Sequence, residues 1–387
     1  MLIRKILINN FQEALKLSAN IGVSPQVYTS LSKKGIFYSL LIEDIDNRAA
    51  SILKQEALSC GAELAVNIEI SAFKKGKSKA VLFATYRHIE ILSQKLLAQP
   101  FGLKETAENL KEIIKELPRP KILKYKNKTI NLESPAVMGI INLDPNSFSN
   151  DAVLDAGQAA EKASYFESAG AKIIDLGAES SKPGIKPIDA KTEIKRLLPA
   201  LKKIRKKTSL PISIDTYKYE TARAAIDEGA DIINDIFALR EGGGKKASLL
   251  AGAKCGLILM HSQGIPENMQ KNPHYKDCLS EIYSFLYERK KFAESYGIEE
   301  DFISVDPGIG FGKTAAHNAE LIKNLKVFST LGAITIGVSR KRFIEKLTGH
   351  SGIAYWTAAN LLAALKGADI IRVHDVEETV NVLKLIA

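Results

Sequence analysis

Cysteine is scarce. Cys60, Cys255 and Cys278 stand far apart in 387 residues, with no CxxC pair and no histidine near any of them. That excludes a disulfide framework and a cysteine-based zinc site, and buried thiols in a reducing cytoplasm are the expectation. Long apolar runs are absent too. Nothing approaches the roughly eighteen residues that a membrane-spanning helix needs. The opening, MLIRKILINNFQEALK, lacks a small-residue cleavage site and reads as a first strand leading into a helix. A nucleotide P-loop is also missing. The nearest match, DPGIGFGKT from Asp306 to Thr314, has three residues instead of four between Gly308 and Gly312. Pro307 stands where the first glycine belongs, and a proline removes a backbone donor.

What is present is ordinary for a soluble globular protein: 45% hydrophobic and 25% charged residues, in a chain long enough for two domains. The net charge of +10 would suit either nucleic acid or an anionic small substrate. The lysines are spread along the chain. Their densest run, FKKGKSKA with Lys74, Lys75, Lys77 and Lys79, lies between the strand-like stretches AELAVNIEIS and AVLFATY. It reads as a solvated hairpin tip. No aromatics interleave with these lysines to stack bases, so no nucleic-acid partner is expected.

A break falls between Leu117 and Pro135, where prolines and polar residues interrupt the periodic segments. Residues 1–118 mix helical spacing, in DIDNRAASILKQEALSC and LKETAENLKEIIKEL, with the strand-like VLFAT. They predict an accessory α+β domain without a chemical constellation. Residues 119–387 are regular. Eight apolar runs alternate with helix-like stretches: AVMGIIN, AKIIDLGAE, PISIDT, DIINDI, GLILMH, FISVDPG, AITIGVS and DIIRVHD. Runs of Val, Ile and Leu indicate strands buried on both faces, hence parallel strands with helical crossovers. AGAKII, EGADII and KGADII each place a glycine where a helix ends and φ must turn positive. The pattern predicts a (β/α)8 barrel rather than a doubly wound sheet.

Active sites of such barrels lie at the C-terminal ends of the strands. Those ends carry Asn142, Asp175 with Glu179, Asp215, Asn234 with Asp235, His261, Asp306, Ser339, and Arg372 with His374 and Asp375. Asp215, Asn234 and Asp306 should share one cavity. Carboxylates and an amide there suit a flat heterocycle rich in N–H donors, or a divalent metal. A basic group faces them across the mouth. In SRKRF, Ser339 is placed to cap a short helix whose first turn holds Arg340, Lys341 and Arg342. Cations normally disfavour a helix N-terminus, so a bound anion would account for them. Arg372 and His374 follow on the next strand. The loop DPGIGFGKT then supplies Asp306 for the ring, with glycines that let backbone pass beneath a ligand.

MGIINLDPNSFSND, GAESSKPG, PISIDT, GADIINDI, LMHSQG, DPGIGFGK, VSRK and IIRVHDV resemble, in order, the motifs of the dihydropteroate synthase family, from Val137 to Val376. The resemblance implies condensation of a dihydropterin-methyl diphosphate with 4-aminobenzoate, giving dihydropteroate and pyrophosphate for folate synthesis. It implies that Asn142 ligates Mg²⁺ on the diphosphate, and that Asp215, Asn234, Asp306 and Lys341 hold the pterin. Arg372 and His374, helped by Lys182, would grip the pyrophosphate. Ser181, Pro183 and the helix start at Lys341 would frame the aminobenzoate, with Arg342 and Phe311 among the substrate contacts. The family commonly forms homodimers and works in the cytoplasm. The sequence departs from the family in its first loop, where Asp144, Asn146 and Asn150 replace the usual residues and two glycines are lost. Lys182 replaces an arginine and Arg342 a serine. Two other readings of the residues are a methyltetrahydrofolate–corrinoid methyltransferase and a non-catalytic pterin-binding sensor. The first has no diphosphate to occupy the basic groups, and the second rests only on the altered loop.

Overall fold

The computed structural model describes residues 1, 3, 4, 6, 8, 11–71, 74–114, 121–143, 155–179, 184–265 and 267–386. The chain divides into two compact units, Met1–Arg119 and Pro120–Ala387.

The first unit holds an antiparallel sheet of three strands, β1 (Phe37–Asp46), β2 (Glu63–Val66) and β3 (Lys77–Thr85), in the order β1-β3-β2. Helices Asn47–Ser59, Tyr86–Leu96 and Leu103–Ile114 bury Leu53, Leu92 and Leu110 with Leu64 and Leu82 of the sheet. The first two of these helices start at local caps. Asp46 accepts from Arg48 N, and Thr85 forms a reciprocal capping box with His88. The first helix is Phe11–Asn20, and the strand expected ahead of it falls on a stretch of which residues 2, 5, 7, 9 and 10 lie outside the described residues. Two expectations need correction. The strand expected over AELAVNIEIS stops at Val66, and Ile68–Ser71 turn into a short helix. The lysine run is therefore not simply a hairpin tip: Lys77 and Lys79 belong to β3, and Lys79 pairs with Glu43 at 2.5 Å.

The second unit begins with a hairpin, β4 (Ile122–Tyr125) and β5 (Lys128–Asn131), inside the stretch read as a break. Leu123, Tyr125 and Ile130 pack on Ala136, Met138, Ile173, Ile232, Ile258 and Ile370, closing the N-terminal end of the barrel that follows. Its strands are β6 (Ala136–Asn142), β7 (Ile173–Gly177), β8 (Ile212–Asp215), β9 (Ile232–Asp235), β10 (Gly256–Met260), β11 (Ile303–Asp306), β12 (Ala333–Ile336) and β13 (Ile370–Val373). All pair in parallel and β13 closes on β6, so the eight apolar runs form a closed (β/α)8 barrel among the described residues. Gly170, Gly229 and Gly367 have φ of 98°, 97° and 106°, the left-handed turn that AGAKII, EGADII and KGADII require. No described helix is long and apolar enough to cross a membrane.

Candidate active site

Register sets the depth of each polar side chain. Asn142, Gly177, Asp215 and Asn234 lie level across β6 to β9, while Asp175 lies two residues deeper on β7, opposite Ser213. A Cβ at Gly177 would come within 3.4 Å of both Asn142 Oδ1 and Asp215 Cβ, so this glycine keeps open the space between them. From β13, Arg372 reaches across the barrel. Its Nε donates to Asp175 Oδ2 and its Nη2 to Asp215 Oδ2, each at 2.6 Å. Burial raises the Asp215 carboxyl above the ordinary range, the Asp175 charge adds to that, and Arg372 opposes it. Burial pulls Arg372 down, but the two carboxylates outweigh it and hold the guanidinium firmly protonated.

Asp306, at the end of β11, accepts from Gly308 N at 2.7 Å; burial raises it, and Lys341 and Arg372 oppose the rise. Lys341 donates to the Ile309 carbonyl and sits 5.0 Å from the centre of the Phe311 ring. Burial lowers its pKa to about 8, with Asp306 opposing. Asp215, Asp306, Lys341 and Arg372 thus act on one another electrostatically in one buried pocket. Asn234 is buried beside them, and its Oδ1 has no partner among the described residues. An apolar cluster of Tyr217, Ile236, Met260, Phe237 and Phe311 occupies the same end of the barrel.

The basic group is arranged differently from the expectation. The helix after β12 is Arg342–Thr348, with Lys341 in extended conformation at its N-cap and no side-chain cap. Ser339 does not cap it. Its hydroxyl lies 3.4 Å from His374 Nδ1 instead. Arg340 takes a φ of 57° and pairs with both oxygens of Asp375, at 2.6 and 3.2 Å, joining the loops after β12 and β13. That left-handed residue turns Lys341 back into the pocket, while Arg342 stays exposed. The three consecutive cations therefore have three separate surroundings: an ion pair with Asp375, the buried pocket, and solvent.

Two glycines of DPGIGFGKT answer to a constraint that the sequence did not suggest. A Cβ at Gly308, where φ is 69°, would lie 1.9 Å from the His261 carbonyl, and one at Gly312 2.5 Å from that of Gln263. They allow the loop after β11 to press against the loop after β10, while Gly310 leaves room for the Lys341 side chain at 3.3 Å. The spacing did not reveal a buried pair beneath this loop: Lys313 Nζ lies 2.9 Å from His261 Nδ1 and 3.0 Å from the Phe311 carbonyl. Burial brings Lys313 to about 7. Glu179, another strand-end residue, is tied to Tyr217 at 3.0 Å, Lys218 at 2.5 Å and Ile188 N at 3.0 Å. Ser181, Lys182 and Pro183, and the altered positions Asp144, Asn146 and Asn150, lie outside the described residues.

Fold and site together define a barrel enzyme whose mouth combines a carboxylate–amide pocket with adjoining cations. Residues 138–374 match the pterin binding enzyme family. A bifunctional dihydropteroate synthase/dihydropteroate reductase of Helicobacter pylori is 32% identical over 100% of this chain and 98% of its own length. The dihydropteroate synthase of Escherichia coli K12 is 37% identical, covering 67% of this chain and 93% of its own. The solved dihydropteroate synthase of Xanthomonas albilineans with 4-aminobenzoic acid superposes with a TM-score of 0.64 at 36% identity, covering 69% of this chain and 97% of that one. The chain belongs to the pterin binding enzymes and, within them, to the dihydropteroate synthases.

Proposed function

We infer that the barrel joins a (7,8-dihydropterin-6-yl)methyl diphosphate to 4-aminobenzoate, giving 7,8-dihydropteroate and pyrophosphate for folate biosynthesis. The observation that carries this reading is the Asp175–Arg372–Asp215 bridge meeting Asp306 and Lys341 in one pocket. The methylene C–O bond breaks with its electron pair leaving on pyrophosphate, and positive charge spreads into the pterin. Asp215 and Asp306 stabilise that charge, which is where preorganised carboxylates help most. The aniline nitrogen then forms the new C–N bond and releases its proton, so a strong general base is not required.

In this reading Asn234 and Lys341 orient the ring, Phe311 covers it, and Arg372 with His374 and Lys182 receives the diphosphate. Ser181, Pro183 and Arg342 frame the aminobenzoate. No group of three or more His, Cys, Asp or Glu side chains among the described residues could hold a metal by itself. A single amide oxygen, Asn142 Oδ1, beside the space that Gly177 leaves still fits Mg²⁺, which commonly takes one or two protein ligands plus substrate phosphates. When bound there through Asn142, Mg²⁺ would neutralise charge on the departing diphosphate. The test is pyrophosphate release from the full chain: it must require both substrates, and Mg²⁺ for the metal assignment to stand.

The helix Ile353–Leu365 supports a homodimer, because Ile353, Tyr355, Leu362 and Leu365 are exposed along it. Sedimentation of the full chain checks this. Three free cysteines suit the cytoplasm. A second activity is favoured by the match to the bifunctional Helicobacter pylori protein, which runs through residues 1–118 as well as the barrel. On that reading the accessory domain serves reduction of the dihydropteroate ring by a hydride donor. Oxidation of a reduced nicotinamide by the full chain, and not by a chain beginning near Arg119, checks it.

A further inference from the structure

We propose that Asp175 is a positioning residue of the synthase reaction: it anchors Arg372 so that Asp215 keeps a carboxylate oxygen for the ring cation formed as diphosphate leaves. The proposal rests on the synthase reading above. Three observations carry it. First, Arg372 splits its fork between two carboxylates, Nε to Asp175 and Nη2 to Asp215, at the same 2.6 Å. A guanidinium beside a lone carboxylate closes on both of its oxygens. Held by Asp175, Arg372 engages only Oδ2 of Asp215. Second, the two carboxylates differ in depth. Asp175 is 0% exposed while the Asp215 side chain retains 13%, so a substrate meets Asp215 and not Asp175.

Third, Asp175 is a poor choice for stability alone. It is level with Ser213, yet Asp175 Oδ1 and Ser213 Oγ both lack partners among the described residues. A buried carboxylate with an unpartnered oxygen is costly, and breaking a pair is not the only alternative a sequence has. A neutral amide could fill that volume and still accept from Arg372 through its oxygen. What the amide lacks is charge, and charge is what competes with Asp215 for the guanidinium. Around Asp215 the charged groups are Asp175 and Glu179 from β7 and its loop, Glu193 from helix Ala190–Arg205, Arg372 from β13, and Lys341 from the loop after β12. Only Asp175 and Asp215 bond to the Arg372 guanidinium among the described residues.

The experiment is a double-variant cycle on the full chain, read by pyrophosphate release: Asp175→Asn, Arg372→Ala and both together. Asp175→Asn is expected to lower kcat by about tenfold to a hundredfold, the scale of a lost preorganised electrostatic contact. KM for 4-aminobenzoate should stay within about twofold, because that substrate meets neither residue. In the Arg372→Ala background the asparagine should add less than about threefold, since its effect acts through Arg372. Equal losses in both backgrounds, or a loss confined to KM, would overturn the assignment. If Asp175→Asn shows no cooperative thermal transition, Asp175→Glu replaces it: kcat above that of Arg372→Ala supports the anchor, and kcat equal to it does not. A wild-type chain without two-substrate turnover sinks the synthase reading first. A wild-type chain that turns over while Asp175→Asn matches it sinks this proposal alone.

Discussion

At the N-terminal end of the barrel, Asp231 accepts from Lys126 at 2.7 Å, Arg205 at 2.5 Å and Ile212 N at 3.0 Å. At the C-terminal end, Asp175 accepts from Arg372 at 2.6 Å and leaves Oδ1 without a partner. Both are buried carboxylates facing an arginine in one barrel, Asp175 on β7 and Asp231 just ahead of β9. Asp231 has its oxygens filled, and its cations reach water, with the Lys126 side chain 43% exposed. Asp175, Asp215 and Asn234 are enclosed, and Asp175 and Asn234 each keep an acceptor atom without a partner. Satisfied polar groups tie down a fold, whereas the open acceptor on Asn234 is available to a donor-rich ligand and the one on Asp175 lies beneath it. Between these two ends of the barrel, the difference distinguishes a closure from a site.

Breaking one contact at each end should give opposite signatures. Arg372→Ala has the largest expected effect, a loss of roughly 10³ in kcat/KM. Its binding defect, read by calorimetry, should be far greater for the diphosphate substrate than for a bare pterin. Equal losses for the two would remove the proposed anion contact. Its stability cost should stay below the roughly 3–5 kcal/mol of a broken buried pair, because Asp215, already raised by burial, can take up a proton. Asp231→Ala reverses the pattern. It should destabilise by about 2–3 kcal/mol in denaturant unfolding while kcat per folded molecule stays unchanged. A fall in kcat there would mean the two ends are not separable.

The legibility of the two ends in the sequence follows the same division. All eight strands were readable, because doubly buried parallel strands leave continuous Val, Ile and Leu runs ending in polar residues. Asp215, Asn234 and Asp306 could be grouped for that reason. Arg372 bonding to Asp175 could not, since the partners are separated by 197 positions and meet only once β13 closes on β6. Arg340 misled for a local reason. Its left-handed backbone delays the helix to Arg342, and that dispersal of the cations is invisible in the string SRKRF. The glycines of DPGIGFGKT were conspicuous, but the constraint on Gly308 and Gly312 comes from His261 and Gln263, after another strand. In the first unit, the strand β2 stops at Val66 and the chain turns into a helix at Ile68, which the apolar run AELAVNIEIS does not signal.

The pH profile sharpens the contrast at the C-terminal end. Asp215 must be ionised to meet the ring cation, and its carboxyl is raised by burial, so the acid limb of kcat/KM should lie above the ordinary carboxylate range. Lys341 must be charged, and burial brings it to about 8, so activity should fall again as pH rises through that value. Lys341→Gln should remove the alkaline limb and cost about tenfold below it. An acid limb in the ordinary range for aspartate would contradict the enclosed environment described for Asp215.

The smallest effect belongs to Lys121, the intermediate case at the N-terminal end. Its ammonium lies 2.6 Å from Asp369, which is itself 4% exposed, while the lysine side chain is 54% exposed. Solvent screens such a pair, so Lys121→Met should cost only about 1 kcal/mol at neutral pH. Burial raises Asp369 above its ordinary 3.8, with Lys121 opposing. The folded state therefore binds this proton more tightly than the unfolded chain, and stability from this group declines as pH rises from 3.8 to the raised value. Removing Lys121 raises Asp369 further and widens that window upward. The penalty of the variant should consequently be full at neutral pH and fade toward pH 3.8, where Asp369 carries its proton with or without the lysine. Denaturant unfolding of both chains at the two pH values decides the matter. A loss of the same size at both would show that the Lys121 stem packs against the closure, and that its charge does not hold Asp369.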